Sequence, residues 1–323
     1  MTDVVLTGDE ATGSGWPQPM ARPNRRHWWS IQQPPPAPAI SARRAYAEVL
    51  GVFGAFFAAS IIAGAESLAK RYPAPTGSWA VFTPAAVSEI AMASLAVTVV
   101  VVLSGRRGIS PRMLGLGLPP RVGGGTAAGN TFRMGVWAVG ALLAGGLVTV
   151  ALETGKLNIP GHLNGAFLLY ATAASATAGI VEEMVVLAFL VTTLRQAGRP
   201  LLEIVLVAVL LRCSYHDYYG PGVVGIAVWA TVFVWLYLRS GSVIPLIVVH
   251  FLWDVVQFFG LQPHLKNAVA FIVVAALVLL PIAAGITWLI EYLSRPRRLP
   301  QYPPPQYPPP FYGNAWPPPR LPE

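Results

Sequence analysis

From residue 46 onward the chain is built of apolar runs, each about 17–25 residues long. That is the length a helix needs to cross roughly 30 Å of hydrocarbon at 1.5 Å per residue. A hydrocarbon solvent offers no partner for backbone N–H and C=O groups, so such runs are restricted to helices whose hydrogen bonds close internally. Spans are expected at 46–68, 82–103, 132–152, 166–194, 200–217, 222–239, 242–260 and 269–293. The expected fold class is therefore all-α, a polytopic membrane bundle of about eight transmembrane helices with disordered Pro-rich termini. With 54% hydrophobic and 11% charged residues and a mean hydropathy of +0.55, an ordinary soluble domain is excluded.

Charge gives an orientation. The net charge of +8 is scattered in short groups between apolar runs rather than gathered on one patch, which argues for topology signals and against nucleic-acid binding. With eight spans, seventeen Lys and Arg residues fall on the side of the termini and four on the other, with Arg212 left inside a span. This bias places both termini in the cytoplasm, the expected setting being the plasma (inner) membrane of a bacterium.

Outside the helical region 46–293 lie two tails. Residues 1–45 are Pro- and Arg-rich and hold Trp28-Trp29 beside Arg25-Arg26; residues 294–323 repeat Gln-Tyr-Pro-Pro-Pro at 301–305 and 306–310. Neither composition can bury a core. The second tail favours extended polyproline helix, so a docking partner for it and plain solvation both stay open. Between the second and third spans, 105–130 reads as a cytoplasmic connector or short surface helix. Its glycines lack the strand and the Gly-Lys-Ser/Thr ending of a phosphate-binding loop.

Within 181–254 five ionisable side chains interrupt the hydrocarbon: Glu182, Glu183, His216, His250 and Asp254. At mid-membrane depth each costs roughly 2.5–3.5 kcal/mol unless it pairs, binds an ion or meets a wet cavity. Along straight helices, the two glutamates lie about 18–20 Å from the cytoplasmic end of their span, His216 about 25 Å, His250 about 14 Å and Asp254 about 20 Å. Three spans thus deliver acids and imidazoles to one layer. His250 and Asp254 share a helix face at a spacing of four, as do Arg212 and His216. Glu182 and Glu183 point about 100° apart, so each is expected to serve its own partner unless the site is wide.

Three chemistries suit this set. Two histidines and a carboxylate could hold a divalent metal such as Zn, or Glu and His could activate water without one while Arg or His steadies an oxyanion. Hydrolysis inside the membrane is the sharpest reading, and a proton relay in a transporter or structural interhelical hydrogen bonds remain beside it. A transporter is expected to show two inverted halves, whereas these ionisable residues all fall in the second half.

The Glu182-Glu183 pair, a lone His216 and then His250-x-x-x-Asp254 resemble the CPBP family, the CAAX-protease and bacteriocin-processing intramembrane proteases also called the Abi family. That family's pattern is EExxxR, FxxxH and HxxxN or HxxxD, and the likeness covers about 165–260. The resemblance implies a membrane endopeptidase in which Glu182 and His216 activate water, His250 and Asp254 complete the polar site and Glu183 supports it. The expected partners are a membrane protein or peptide substrate and the lipid bilayer. Two positions depart from the pattern: Leu187 stands where the first motif has arginine, and Arg212 where the second has phenylalanine. Arg212 is therefore expected to supply, near Glu183, the charge missing at 187. The contrary expectation is a degenerate member acting as a scaffold or immunity protein.

The remaining polar and aromatic residues read as ordinary. The single Cys213 is expected to pack and forms no cysteine cage. His162 and His264 fall in external loops, Glu48, Glu89 and Glu203 near span ends that reach water, and Trp79, Trp253 and Trp288 read as interfacial or packing aromatics.

Overall fold

The computed structural model describes residues 39–69, 78–117, 127–152 and 165–260, with isolated positions between 267 and 282. Residues 1–38 of the first tail and the whole of the second therefore lie outside the described residues, as do His162, His264 and Trp288. Among the described residues every regular element is a helix. In order these are α1 (Ala42–Ala69), α2 (Trp79–Gly105), α3 (Ala127–Leu152), α4 (Gly165–Glu182), a π-helical segment (Glu183–Val191), α5 (Thr192–Gln196), α6 (Leu201–Ser214), a 3-10 turn (Asp217–Gly222), α7 (Val223–Ser240) and α8 (Ile244–Gly260).

Because α4, the π segment and α5 run on as one rod, Gly165–Gln196, the described residues form seven helical rods. Five are long and apolar enough to cross a membrane: Ala42–Glu66, Trp79–Gly105, Ala127–Leu152, Gly165–Gln196 and Asp217–Ser240. An integral membrane protein follows. The count of eight spans does not. The fifth expected span is the 14-residue α6, about 21 Å long, and the seventh is the 17-residue α8, about 26 Å. The eighth, 269–293, is described only at isolated positions.

Local chemistry explains the boundaries. The Ser41 hydroxyl accepts from the Arg44 backbone N–H at 3.3 Å, an N-cap that starts α1 at Ala42, inside the stretch expected to be tail. Gly241 ends α7 in the left-handed conformation, φ 61°, with its N–H on the Tyr237 carbonyl. The α6 helix stops at Ser214, and the chain turns through Tyr215, His216 and the 3-10 turn, where Gly220 adopts φ 55° and ψ −130°. This irregular backbone packs against α1 and α3, with Thr149 donating to the Gly222 carbonyl at 3.0 Å. Non-helical backbone at membrane depth is tolerated where protein covers it.

Small residues set the helix separations. A Cβ on Gly225 of α7 would collide with the backbone of Gly145 and the side chain of Thr149 on α3. On α4, a Cβ at Gly179 would lie 3.0 Å from the Ile247 carbonyl oxygen and 3.1 Å from the Phe251 nitrogen of α8. Close approach at such positions lets backbones pack where lipid supplies no hydrophobic drive. One turn beyond Gly179 stand Glu182 and Glu183, and next to Phe251 stands His250, so this crossing fixes the depth of the acids against the imidazole.

Of the connector, residues 106–117 form turns rather than a surface helix, with Ile109 and Leu114 buried. They dock on the α7–α8 turn: the Val243 N–H donates to the Gly115 carbonyl at 3.0 Å, and the Tyr237 hydroxyl to the Leu114 carbonyl at 3.2 Å. Gly115 holds φ +83° there, against the Gly241 carbonyl. Nearby, Glu48 is paired rather than simply solvated, at 2.8 Å from Arg44 and 3.2 Å from the buried Arg107. Glu203 pairs with Arg199 at 2.6 Å and accepts a short hydrogen bond from the Tyr46 hydroxyl. The same end of the bundle thus ties α1 to the connector and to α6.

Candidate active site

Four elements bring the ionisable residues together. Glu182 closes α4 and Glu183 opens the π segment, whose nine residues are all buried. Single π turns inside helices are frequent at functional sites. Arg212 comes from the last turn of α6, His216 from the residue before the 3-10 turn, and His250 and Asp254 from one face of α8.

Glu183 is fully enclosed and fully occupied. Arg212 donates to it in two parallel bonds, Nη1 to Oε1 at 2.7 Å and Nη2 to Oε2 at 3.0 Å, and His250 Nδ1 meets Oε1 at 2.8 Å. A bidentate guanidinium–carboxylate pair satisfies the geometry of both groups, which is how two charges survive burial at 0% and 1% exposure. The Arg212 guanidinium also lies 4.7 Å over the Trp229 ring, whose edge contacts His250 at 5.3 Å between centroids. The guanidinium that the sequence pattern places at 187 thus meets Glu183 from another helix, and Leu187 lies fully buried in the apolar core.

Glu182 faces a different set. The Tyr215 hydroxyl donates to its Oε2 at 2.9 Å, while Arg212 Nη1 and His250 Nε2 stand off from that oxygen at 3.8 and 3.9 Å. No hydrogen bond reaches Oε1 from the described residues, and that atom is not sealed from solvent. The two adjacent glutamates therefore have separate partners, bridged by Arg212 and His250.

His216 makes no ion pair with any acid among the described residues. Its Nδ1 lies 3.0 Å from the Arg212 carbonyl, which accepts only if Nδ1 carries the hydrogen; Nε2 is then the basic nitrogen and has no partner among the described residues. Its ring sits between Tyr215, at 4.6 Å, and Tyr219, stacked at 6.1 Å and 10°. Asp254 Oδ2 is 3.7 Å from His250 Nε2 and is the most open of the acids, its side chain 26% exposed.

Residue by residue, the structure joins Glu182, Glu183, Arg212, His250 and Asp254 through contacts of 4 Å or less, and leaves His216 hydrogen-bonded only to backbone. Sequence reasoning missed Tyr215 and Trp229. Position 215 beside His216 was the one signal for the first; Trp229 carried none, since apolar spans hold many aromatics.

The donor set does not make a metal cage in this arrangement. Among the described residues no three His, Cys, Asp or Glu side chains converge on a common point, both Glu183 oxygens are taken, and a buried guanidinium stands beside Glu182. The expected divalent ion is given no step below. A cavity of about 430 Å³ lies elsewhere, between α2 and α4 and lined by Ile90, Ser94, Val97, Thr98, Ala173 and Thr177 among others, and none of the ionisable residues of the site lines it.

No curated protein and no solved structure matches the chain. Residues 164–256, which contain all six of these charged and imidazole side chains, match the model of the family described as Rce1-like, Type II CAAX prenyl endopeptidase Rce1-like, in line with the CPBP-type resemblance of the motifs.

Proposed function

We propose that this protein is a CAAX-protease-like intramembrane endopeptidase that hydrolyses a peptide bond with water activated by Glu182 and His216. The observation that carries the reading is the contrast between the two glutamates: Glu183 has both oxygens hydrogen-bonded, whereas Glu182 is held by one oxygen and keeps the other free. A general base needs such a free oxygen, within reach of water and steadied from behind.

In the proposed reaction Glu182 Oε1 takes a proton from water as the hydroxide attacks the carbonyl carbon. His216, with Nδ1 turned to backbone, offers Nε2 to the same water. His250 Nε2, between Glu182 and Asp254, is placed to donate to the oxyanion. Collapse breaks the C–N bond, and the proton held by Glu182 passes to the leaving amine, giving a free carboxylate and an amine. Glu183 and Arg212 take no proton in this scheme; they hold His250 and the acid pair in register.

The expected setting is a bacterial inner membrane with both termini cytoplasmic, and the substrate a membrane protein or peptide. The prenyl group named in the family description is not carried over to this chain. A scaffold reading draws support from Leu187, since the motif arginine is absent there, yet Arg212 supplies a guanidinium to Glu183, the charge expected to be missing at 187. The test is the membrane proteome of cells with wild type, Glu182→Ala or His216→Ala at equal abundance. A fragment made only by wild type supports the protease. If no substrate differs and both variants complement a deletion phenotype, the scaffold reading replaces it.

A further inference from the structure

Helix α1 lies wholly outside the family-matched segment, yet it reaches the site through one stack of rings. Phe57, 5% exposed, stacks on Tyr215 at 4.2 Å between centroids and 15° between planes, and Phe53 supports both at 5.0 and 6.0 Å. Tyr215 is the C-cap of α6, where the helix gives way to irregular backbone, so its ring direction is not set by a continuing helix. The stack sets it instead. At the far end of that ring the hydroxyl donates to Glu182 Oε2.

Resting on the protease reading, we infer that Phe57 and Tyr215 form a positioning device that pins one oxygen of Glu182 and turns the other toward the water it deprotonates. The groups facing Glu182 are Tyr215 and Arg212 from α6, His250 and Asp254 from α8, and its neighbour Glu183. Of these only Tyr215 donates a hydrogen bond to it; Arg212 and His250 stay at 3.8 and 3.9 Å. Without the phenol, no hydrogen bond from these groups fixes the rotation of the carboxylate, and Oε1 is no longer held toward the water.

Tyr215→Phe tests this because the ring, and so the stack on Phe57, survives. Two readouts are taken on protein in lipid nanodiscs. The first is the infrared band of the Glu182 side chain, identified as the one that disappears in Glu182→Gln; it needs no substrate. In Tyr215→Phe that band shifts, because Oε2 loses the hydrogen bond it accepts from the phenol. The second is cleavage of an internally quenched farnesylated CAAX peptide, with kcat reduced about 10-fold or more and KM within about twofold. Phe57→Ala repeats both changes at smaller size, and Phe57→Tyr, which keeps the stack, stays near wild type. An unchanged band in Tyr215→Phe overturns the inference, whether or not kcat falls, since a merely structural role lowers activity without moving the Glu182 band. If Tyr215→Phe loses its thermal transition, Phe57→Ala decides by the same band. Wild type failing to cut this peptide or any proteome fragment would sink the protease reading, while the infrared bands would still decide whether Tyr215 and Phe57 pin Glu182.

Discussion

Helix α2 and the rod Gly165–Gln196 are both long, apolar and in contact, yet the protein treats them in opposite ways. Only 22% of the apolar window of α2 is buried inside the protein, against 78% for the rod. The polar residues explain the difference. In α2, Ser88, Ser94 and Thr98 each return their hydroxyl to a carbonyl three or four residues back, on Ala85, Ile90 and Ser94. Such a helix needs no partner for its polar groups and can face lipid. Glu182 and Glu183 cannot be satisfied on their own backbone and draw donors from α6 and α8. A helix with a polar group of that size must be wrapped by protein, and apolarity alone does not distinguish the two cases.

The largest effect that would sharpen this contrast is at Arg212. Arg212→Leu leaves Glu183 buried and unpaired and is expected to cost about 3–5 kcal/mol in thermal or steric-trap unfolding. Adding Glu183→Leu should return most of that loss, because the charge goes with its partner. Adding Leu187→Arg instead should restore stability and whatever cleavage wild type shows; no rescue would count against a relocated charge.

Next come two apolar truncations. Phe189, fully buried in the π segment beneath Arg107 at 5.1 Å, should cost about 3–5 kcal/mol as Phe189→Ala. Leu95 on α2, 54% exposed, should cost within about 0.5 kcal/mol as Leu95→Ala, since lipid refills the space. Equal costs would break the contrast and mean that protein, not lipid, covers that face of α2. Gly179→Ala should cost about 1–3 kcal/mol by pushing α4 off the α8 backbone, and should lower activity more than stability predicts. Smallest of all, Ser94→Ala should change unfolding by under about 0.5 kcal/mol, as its hydroxyl serves only its own helix.

Much of the helical layout was legible in the apolar runs. The expected 166–194 became Gly165–Gln196, and 222–239 became Val223–Ser240, because span length is a property of the bilayer. The misjudged elements were those whose ends depend on contacts. The α6 helix stops at Ser214 because Tyr215 finds Phe57 and the following turn finds α1 and α3, neither of which leaves a local signal. The connector was expected to hold at most a short surface helix, and its residues 106–117 are instead docked by hydrogen bonds from Tyr237 of α7 and Ser242 of the α7–α8 turn, more than a hundred residues away.

For the candidate site, residue identity and spacing nominated Glu182, Glu183, His216, His250, Asp254 and Arg212, since ionisable groups in hydrocarbon are too costly to be idle, and the fold brings all but His216 into contacts of 4 Å or less. What only the tertiary structure decided is the division of labour among them. Which glutamate is saturated and which keeps a free oxygen depends on Arg212 and Tyr215 arriving from α6 and on the Gly179 crossing that sets the depth of His250. Two adjacent, chemically identical carboxylates carry no mark of that in the chain; their difference is made by the donors that the fold brings to each.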